Sequence, residues 1–148
     1  MRIAAAIRAA RPEDAPAIAE MLVVMGEELH DPPSATEATI RADGFGATPR
    51  FSVLIAEAGG RAMGFTLYFP HYSTTRGGAG AYVQDVWTAP EVRGQGLGAA
   101  LLSEVAARAA RDWGAGYLAL SVHGHNEGAE RLYSRLGFAP TANCARWR

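Results

Sequence analysis

The amino-acid sequence predicts one α/β domain, and three observations support this fold class. The chain has 148 residues, the length of one ordinary domain, and 49% of them are hydrophobic, which is enough to fill a core. Strand-like and helical segments follow one another without repeats, linkers or low-complexity stretches. The pair Gly59-Gly60 between two apolar runs is typical of a β-hairpin. We therefore expect a sheet covered by helices.

The chain begins with a strand and two helices. Residues 3–10 form the expected strand. Residues 11–30 predict a helix, because acidic residues stand near its start, apolar residues recur at helical spacing and two prolines follow it. Residues 34–46 predict a short helix in which Ser34 and Glu37 form a capping box.

The later segments surround a glycine-rich loop, and most are bounded by Gly or Pro. In order, they are two strands over 51–70, a strand over 80–90, a helix running from the loop to Trp113, a strand over 116–122, a helix over 126–137 with Asn126 as its cap, and a last strand or tail over 138–148.

Composition and charge exclude several classes of function. The net charge of −1 gives no reason to expect nucleic acid or an anionic membrane as a partner. The single cysteine, Cys144, excludes an intrachain disulfide and fits a reducing cytoplasm. No apolar run reaches the roughly 18 residues that span a bilayer, and the arginines in the N-terminal apolar stretch argue against a signal peptide.

The stretch VRGQGLGAALL, residues 92–102, predicts a site for an anion. Gly94, Gly96 and Gly98 precede or open a helix, whose first N–H groups have no intrahelical partner and carry a positive dipole end. A Walker phosphate loop is excluded because the chain has no lysine. A dinucleotide fingerprint fits poorly, since no acid ends the next strand. A glycine-rich turn without a ligand stays open for the loop taken alone.

Two motifs and the order of the segments together resemble the GNAT superfamily of N-acetyltransferases. The first motif is R-x-x-G-x-G, formed by Arg93, Gly96 and Gly98. The second is NEGAERLYSRLGF, residues 126–138, in which an asparagine opens a helix and a tyrosine follows seven residues later. The resemblance covers essentially the whole chain and is closest to the diamine and polyamine acetyltransferase branch.

The resemblance implies a fold and a cofactor site. The fold is a mixed, mostly antiparallel sheet of six to seven strands with helices on both faces. Acetyl-CoA is the implied co-substrate, without a metal, and lies where strands 80–88 and 116–122 splay apart. The pantetheine arm pairs with strand 80–88 like an added strand, and backbone N–H groups of the glycine loop hold the pyrophosphate. The implied cofactor-binding residues are Val86, Trp87, Thr88, Arg93, Gly94, Gln95, Gly96, Leu97, Gly98, Ala99, Asn126 and Tyr133.

Tyr133, Asp85 and Gln84 are the implied catalytic residues. Acetyl transfer to an amine expels a thiolate, which a phenol with a pKa near 10 can protonate; the alternative is that Tyr133 is a core residue. The related branch has an acid pair where this chain has Gln84 and Asp85, and glutamine cannot accept a proton. Strand alternation directs Asp85 to the face opposite Gln84. Three roles stay open for Asp85: it assists deprotonation of the amine through a bulge or a water, it binds a cationic substrate, or it is an ordinary carboxylate at the end of the sheet.

The implied reaction is transfer of acetyl from acetyl-CoA to a primary amine by direct attack in a ternary complex. The expected partners are a small-molecule amine and, in a homodimer, a second copy of the chain. The alternatives are an acyl-CoA-binding sensor without turnover and a protein or peptide N-acetyltransferase. Loops 30–50 and 70–80 are expected to shape the acceptor pocket, as are the side chains Tyr68, His71 and Tyr82.

Other catalytic sites have weaker support. The pair His123-x-His125 has no acid or cysteine partner nearby and is a poor metal site. Cys144 lies near the end of the chain with no histidine in register, so it is not expected to act as a nucleophile.

Overall fold

The computed structural model describes residues 4–122 and 126–139. The strands and helices in chain order are β1 Ala6–Ala9, α1 Ala15–Leu29, α2 Glu37–Phe45, β2 Ser52–Ala58, β3 Arg61–Ser73, β4 Gly78–Thr88, α3 Leu97–Trp113, β5 Leu118–Leu120 and α4 Glu127–Arg135. Short 3-10 turns, Pro12–Asp14 and Pro90–Val92, precede α1 and follow β4.

The strands form one mixed sheet in the order β1-β2-β3-β4-β5. Neighbouring strands are antiparallel except β4 and β5, which are parallel. The β2–β3 connection is a tight hairpin at Gly59 and Gly60, whose φ angles of 58° and 74° favour glycine. The predicted α/β class and the mixed, mostly antiparallel sheet are therefore confirmed.

Helices cover both faces of the sheet, as predicted. The face under α1 and α2 holds a cluster that includes Ile18, Leu22, Ile40 and Phe65. The opposite face packs against α3 through a second cluster that includes Leu54, Tyr68, Val83, Leu101 and Val105. Alternation along β2 and β3 supplies both clusters, because successive side chains point to opposite faces.

The predicted count of six to seven strands is not confirmed, because the described residues form five. Phe138 and Ala139, the start of the predicted last strand, are not in a strand, and residues 140–148 lie outside the described residues. The strand predicted over 116–122 is shorter, since β5 spans only Leu118–Leu120.

The predicted capping box of Ser34 and Glu37 is wrong, because α2 begins later. Thr36 is the cap: its Oγ1 accepts a hydrogen bond from Thr39 N at 3.2 Å, and Thr39 Oγ1 accepts one from Thr36 N at 2.8 Å. Glu37 is then the first helical residue and lies 3.5 Å from Arg41, one turn on. Two threonines can satisfy the same N–H groups that the motif assigned to a serine and a glutamate.

One irregularity in the sheet matters for the site. Leu67 pairs with Asp85, and the next residue of β3, Tyr68, pairs with Val83, so Gln84 is an extra residue of β4. This is a β-bulge, which bends a strand and increases its twist. The hydroxyl of the fully buried Thr66 supports the bulge by donating to the Asp85 carbonyl at 2.9 Å.

Within residues 4–122 and 126–139, no helix is both long enough and apolar enough to cross a membrane.

Candidate active site

Strands β4 and β5 separate after a short paired stretch. Their register joins Ala81 to Leu118, Tyr82 to Ala119 and Val83 to Leu120, and among the described residues the pairing does not continue beyond Val83. The bulge at Gln84 follows at once, so β4 turns away where β5 ends. The edge of β4 from 84 to 88 is therefore not paired with β5. This is the geometry that the sequence predicted for strands 80–88 and 116–122.

The glycine loop has the backbone conformation that an anion site at a helix start requires. Gly94 and Gly96 have φ angles of 80° and 81°, which residues with side chains rarely adopt. Apart from their chain neighbours, no described residue has an atom within 4 Å of where their Cβ atoms would be. The first helical hydrogen bond of α3 runs from Ala100 N to Gly96 O at 3.0 Å. The N–H groups of Leu97, Gly98 and Ala99 precede that bond and belong to the electropositive helix start.

The third glycine differs from the other two. Gly98 does not have a positive φ, unlike Gly94 and Gly96. It is the second residue of α3, and its Cβ would lie 3.4 Å from the Leu132 side chain of α4, an ordinary contact. Backbone conformation therefore requires glycine at positions 94 and 96. At position 98, a side chain would be excluded only if the bound cofactor comes too close to it.

The Arg93 side chain is engaged by protein groups. Its Nε donates to the Thr88 carbonyl at 2.9 Å, and its NH2 group donates to both Glu28 oxygens at 2.9 and 3.1 Å. Trp87 Nε1 donates to the same Glu28 carboxylate at 2.7 Å. Sequence reasoning missed Glu28, because it lies 65 residues before Arg93 and belongs to no motif.

The segment around α4 contains the other two implied cofactor residues. Asn126 caps α4, with its Oδ1 accepting from Ala129 N at 3.1 Å, so the cap that its position predicts is present. The half-buried Tyr133 ring packs edge-on against Phe138, with 5.7 Å between ring centroids. Burial, and secondarily the negative charge of Asp85, raises the pKa of Tyr133 to about 12. Its phenol is therefore protonated at neutral pH.

The bulge corrects the predicted orientation of Asp85. In a regular strand, Tyr82 and Asp85 would lie on opposite faces, because they are three positions apart. The extra residue Gln84 between them brings Asp85 onto the same face as Tyr82. Asp85, Gln84 and Tyr82 all line one cleft together with Asn126 and Tyr133. The structure thus brings the three implied catalytic residues together at one site.

This cleft has a volume of about 690 Å³, within the range typical of small-molecule sites. The segment joining α1 to α2 forms its other wall, as expected for loop 30–50, whereas residues 70–80 do not line it. Three carboxylates face it, from Asp31, Asp43 and Asp85, and no arginine is among the described residues that line it. Sequence reasoning missed Asp31 and Asp43, because only the tertiary fold places α2 across from β4.

Two of the predicted pocket side chains lie elsewhere. Tyr68 is buried on the face that packs against α3, where its ring lies 6.1 Å from that of Trp113. His71 contacts Tyr117, with its Nδ1 2.6 Å from the tyrosine hydroxyl. Tyr82 does line the cleft, and its hydroxyl lies 2.7 Å from Ser121 Oγ across the strand gap. The residues of the rejected metal and nucleophile sites, His123, His125 and Cys144, lie outside the described residues.

Comparison with known proteins decides the family. The profile of the "Acetyltransferase (GNAT) family" matches residues 15–138. The chain belongs to the GNAT acetyltransferase family. It is similar to thialysine N-epsilon-acetyltransferases of Sus scrofa, with 34% identity over 95% of this chain and 88% of the relative, and of Bos taurus, with 36% identity over 82% and 75%.

Solved structures agree on the fold of this GNAT chain. An aminoglycoside acetyltransferase from an uncultured soil metagenomic sample superposes with a TM-score of 0.77 at 20% identity, covering 95% of each chain. The aminoglycoside N-acetyltransferase AAC(6')-Iy in complex with CoA gives 0.72 at 20% identity, covering 95% of this chain and 91% of that one. At such identities the likeness concerns the fold.

Family membership makes the protein an acetyl-CoA-dependent N-acetyltransferase. Its own geometry is compatible with this co-substrate, because Gly94 and Gly96 open the backbone before α3, and β4 is not paired with β5 beyond Val83. When bound, acetyl-CoA supplies the acetyl thioester. The residues of this chain must then bind it, position an amine and move two protons.

Proposed function

We propose that this GNAT enzyme acetylates a small primary amine that carries a second cationic group, such as a diamine or a diamino acid. The observation that carries the proposal is the cleft, which is lined by three carboxylates, those of Asp31, Asp43 and Asp85. Carboxylates attract a cationic ligand and select against anionic ones. The thialysine acetyltransferase activity named for the mammalian relatives supports an acceptor of this class.

Asp85 is the proposed proton acceptor. An alkyl amine has a pKa near 10 and is mostly protonated at neutral pH, so it must lose a proton before its nitrogen can attack a carbonyl. Gln84 cannot take that proton. Asp85 lies beside it on the bulge, faces the cleft and is close enough to Tyr133 for its charge to affect that hydroxyl. It accepts the proton directly or through one water.

Tyr133 is the proposed proton donor. As the amine nitrogen bonds to the acetyl carbon, the carbon–sulfur bond breaks and the sulfur needs a proton. The Tyr133 pKa of about 12 keeps its hydroxyl protonated until that moment. The nitrogen loses a second proton as the amide forms, in addition to the one that Asp85 took before the attack. One of these two protons restores the Tyr133 hydroxyl and the other passes to solvent, so both residues end as they began.

We propose that acetyl-CoA is bound by the glycine loop, the edge of β4 and Asn126. The N–H groups between Arg93 and Ala99 hold the pyrophosphate, and the β4 edge at Val86, Trp87 and Thr88 pairs with the pantetheine arm. The Thr88 carbonyl already accepts a hydrogen bond from Arg93, so pairing at that residue depends on its N–H group. Asn126 hydrogen-bonds the cofactor arm in addition to capping α4.

The test is release of free CoA thiol with a panel of amines under saturating acetyl-CoA. Thialysine, lysine, ornithine and short diamines should be acetylated with kcat/KM at least about tenfold above butylamine, which lacks the second cation. Asp85→Asn should lower kcat by about 10²-fold or more with all amines, while CoA affinity is retained. Equal turnover of butylamine would refute the cationic selection.

Two other outcomes favour the alternative functions. CoA binding without thiol release from any amine would indicate a sensor, and turnover confined to peptide N-termini would indicate a protein acetyltransferase. A cytoplasmic location and a homodimer stay predictions, tested by cell fractionation and by sedimentation.

A further inference from the structure

Glu28 joins the end of α1 to the start of the glycine loop. It is the second-last residue of α1 and accepts hydrogen bonds from two side chains of the β4–α3 segment. Trp87 comes from the end of β4, and Arg93 directly precedes Gly94. One carboxylate therefore ties together a helix and the two ends of the turn that leads into the loop.

The loop needs such a tie more than most segments do. Gly94 and Gly96 have no side chains, and apart from their chain neighbours no described residue has an atom within 4 Å of their Cβ positions, so side-chain packing at these residues does not hold the backbone. Glycine also has the largest conformational freedom to lose. Arg93 is the last residue with a long side chain before them, and its guanidinium is fixed at Thr88 and at Glu28.

Helix α1 is a firm support for this tie. Ile18, Met21 and Leu22 of the same helix are buried in the core cluster under the sheet. The Glu28 carboxylate thus connects a helix that is anchored in the core to a segment that contains two glycines. Its own side chain is 33% exposed and that of Arg93 is 46% exposed, so the pair adds little to overall stability. Its effect must appear in the geometry of the loop.

We propose that Glu28 is a positioning residue for cofactor binding: acting through Arg93, it holds the glycine loop in the conformation that receives the pyrophosphate. Glu28 itself does not contact the cofactor. The proposal rests on acetyl-CoA binding at the glycine loop, and it is independent of which amine the enzyme acetylates.

The experiment is a double-mutant cycle on CoA affinity, measured by isothermal titration calorimetry. Glu28→Ala should weaken CoA binding about three- to fivefold, the upper part of the range expected from a surface charge pair. In an Arg93→Ala background the same substitution should change the Kd less than about 1.5-fold, since the link from Glu28 to the loop through Arg93 is already absent and only the Trp87 hydrogen bond is left to lose. Glu27→Ala, on the same helical turn, removes an equal charge and should leave the Kd unchanged.

Steady-state kinetics separate positioning from a structural role. Glu28→Ala should raise KM for acetyl-CoA by the factor seen in Kd, while kcat stays within about twofold and Tm within about 2 °C. An unchanged Kd in Glu28→Ala, or an equal loss in both backgrounds, would overturn the proposal. Thiol release by the wild-type enzyme tests the proposed function separately, because the titrations need no acceptor.

Discussion

Replacing Tyr133 with phenylalanine tests the proposed proton donor with little disturbance of the fold. The ring packs against Phe138 and the cluster under α3, contacts that phenylalanine keeps. Phenylalanine lacks only the hydroxyl, so the packing of the ring is unchanged. Burial already disfavours that hydroxyl in its charged form. We therefore expect the free energy of unfolding to change by less than about 0.5 kcal/mol and Tm by less than about 2 °C.

The expected effect on catalysis is much larger. Loss of a general acid lowers kcat by about 10²–10⁴-fold, which corresponds to about 3–5 kcal/mol of barrier. KM for the amine should stay within a few-fold, because the hydroxyl acts on the leaving sulfur. The assay is thiol release at saturating acetyl-CoA, with Tm and CoA affinity as controls on the same preparation. Turnover within about threefold of wild type would show that Tyr133 is a core residue and that another group protonates the sulfur.

Three further predictions use other parts of the site and fold. Gly98→Ala should preserve Tm or raise it slightly, because the new Cβ would lie in a helix at an ordinary contact distance of 3.4 Å from the Leu132 side chain. A loss of CoA affinity, measured by calorimetry, would then show that the cofactor approaches Gly98 closely. Unchanged affinity would limit the cofactor contact to Gly94 and Gly96. Gln84→Glu should extend the kcat/KM profile toward lower pH by adding a second carboxylate to the cleft, and superimposable profiles would exclude a role for a carboxylate there. Arg8 donates to Asp14 at 2.8 and 2.9 Å and holds the pKa of that carboxyl below its usual value of 3.8, so this stability is present above about pH 4 and is lost as the pH falls. Asp14→Asn should lower Tm by about 2–4 °C at pH 7 and by less at pH 3, and a difference independent of pH would contradict the linkage.

The elements that depend on local chemistry were predicted well from the sequence. The Gly59-Gly60 hairpin, the helix that follows the glycine loop and the Asn126 cap each follow from nearby residues, and all three are present. Errors arose where two local solutions compete. The start of α2 is one such case, since Thr36 and Thr39 supply a capping box that displaces Ser34.

The orientation of Asp85 shows what local patterns cannot reveal. Strand periodicity assigns it to the face opposite Gln84, and nothing in the residues of β4 alone signals a bulge. The extra residue is defined only against β3, where Leu67 and Tyr68 pair on either side of it and Thr66 holds the Asp85 carbonyl. Register between strands is a property of the pair, so it needs the partner in place.

By itself the sequence determined the family, the chemistry of the reaction and the position of the glycine loop, because motifs of adjacent residues carry that information. Only the tertiary structure decided which distant side chains share the site. It brought Asp31 from the α1–α2 connection and Asp43 from α2 to the cleft of Asp85. It also placed Glu28 against Arg93 across 65 residues of chain. The physical reason is that packing of the helices on the sheet sets these contacts, and a contact between distant segments leaves no local pattern in either of them.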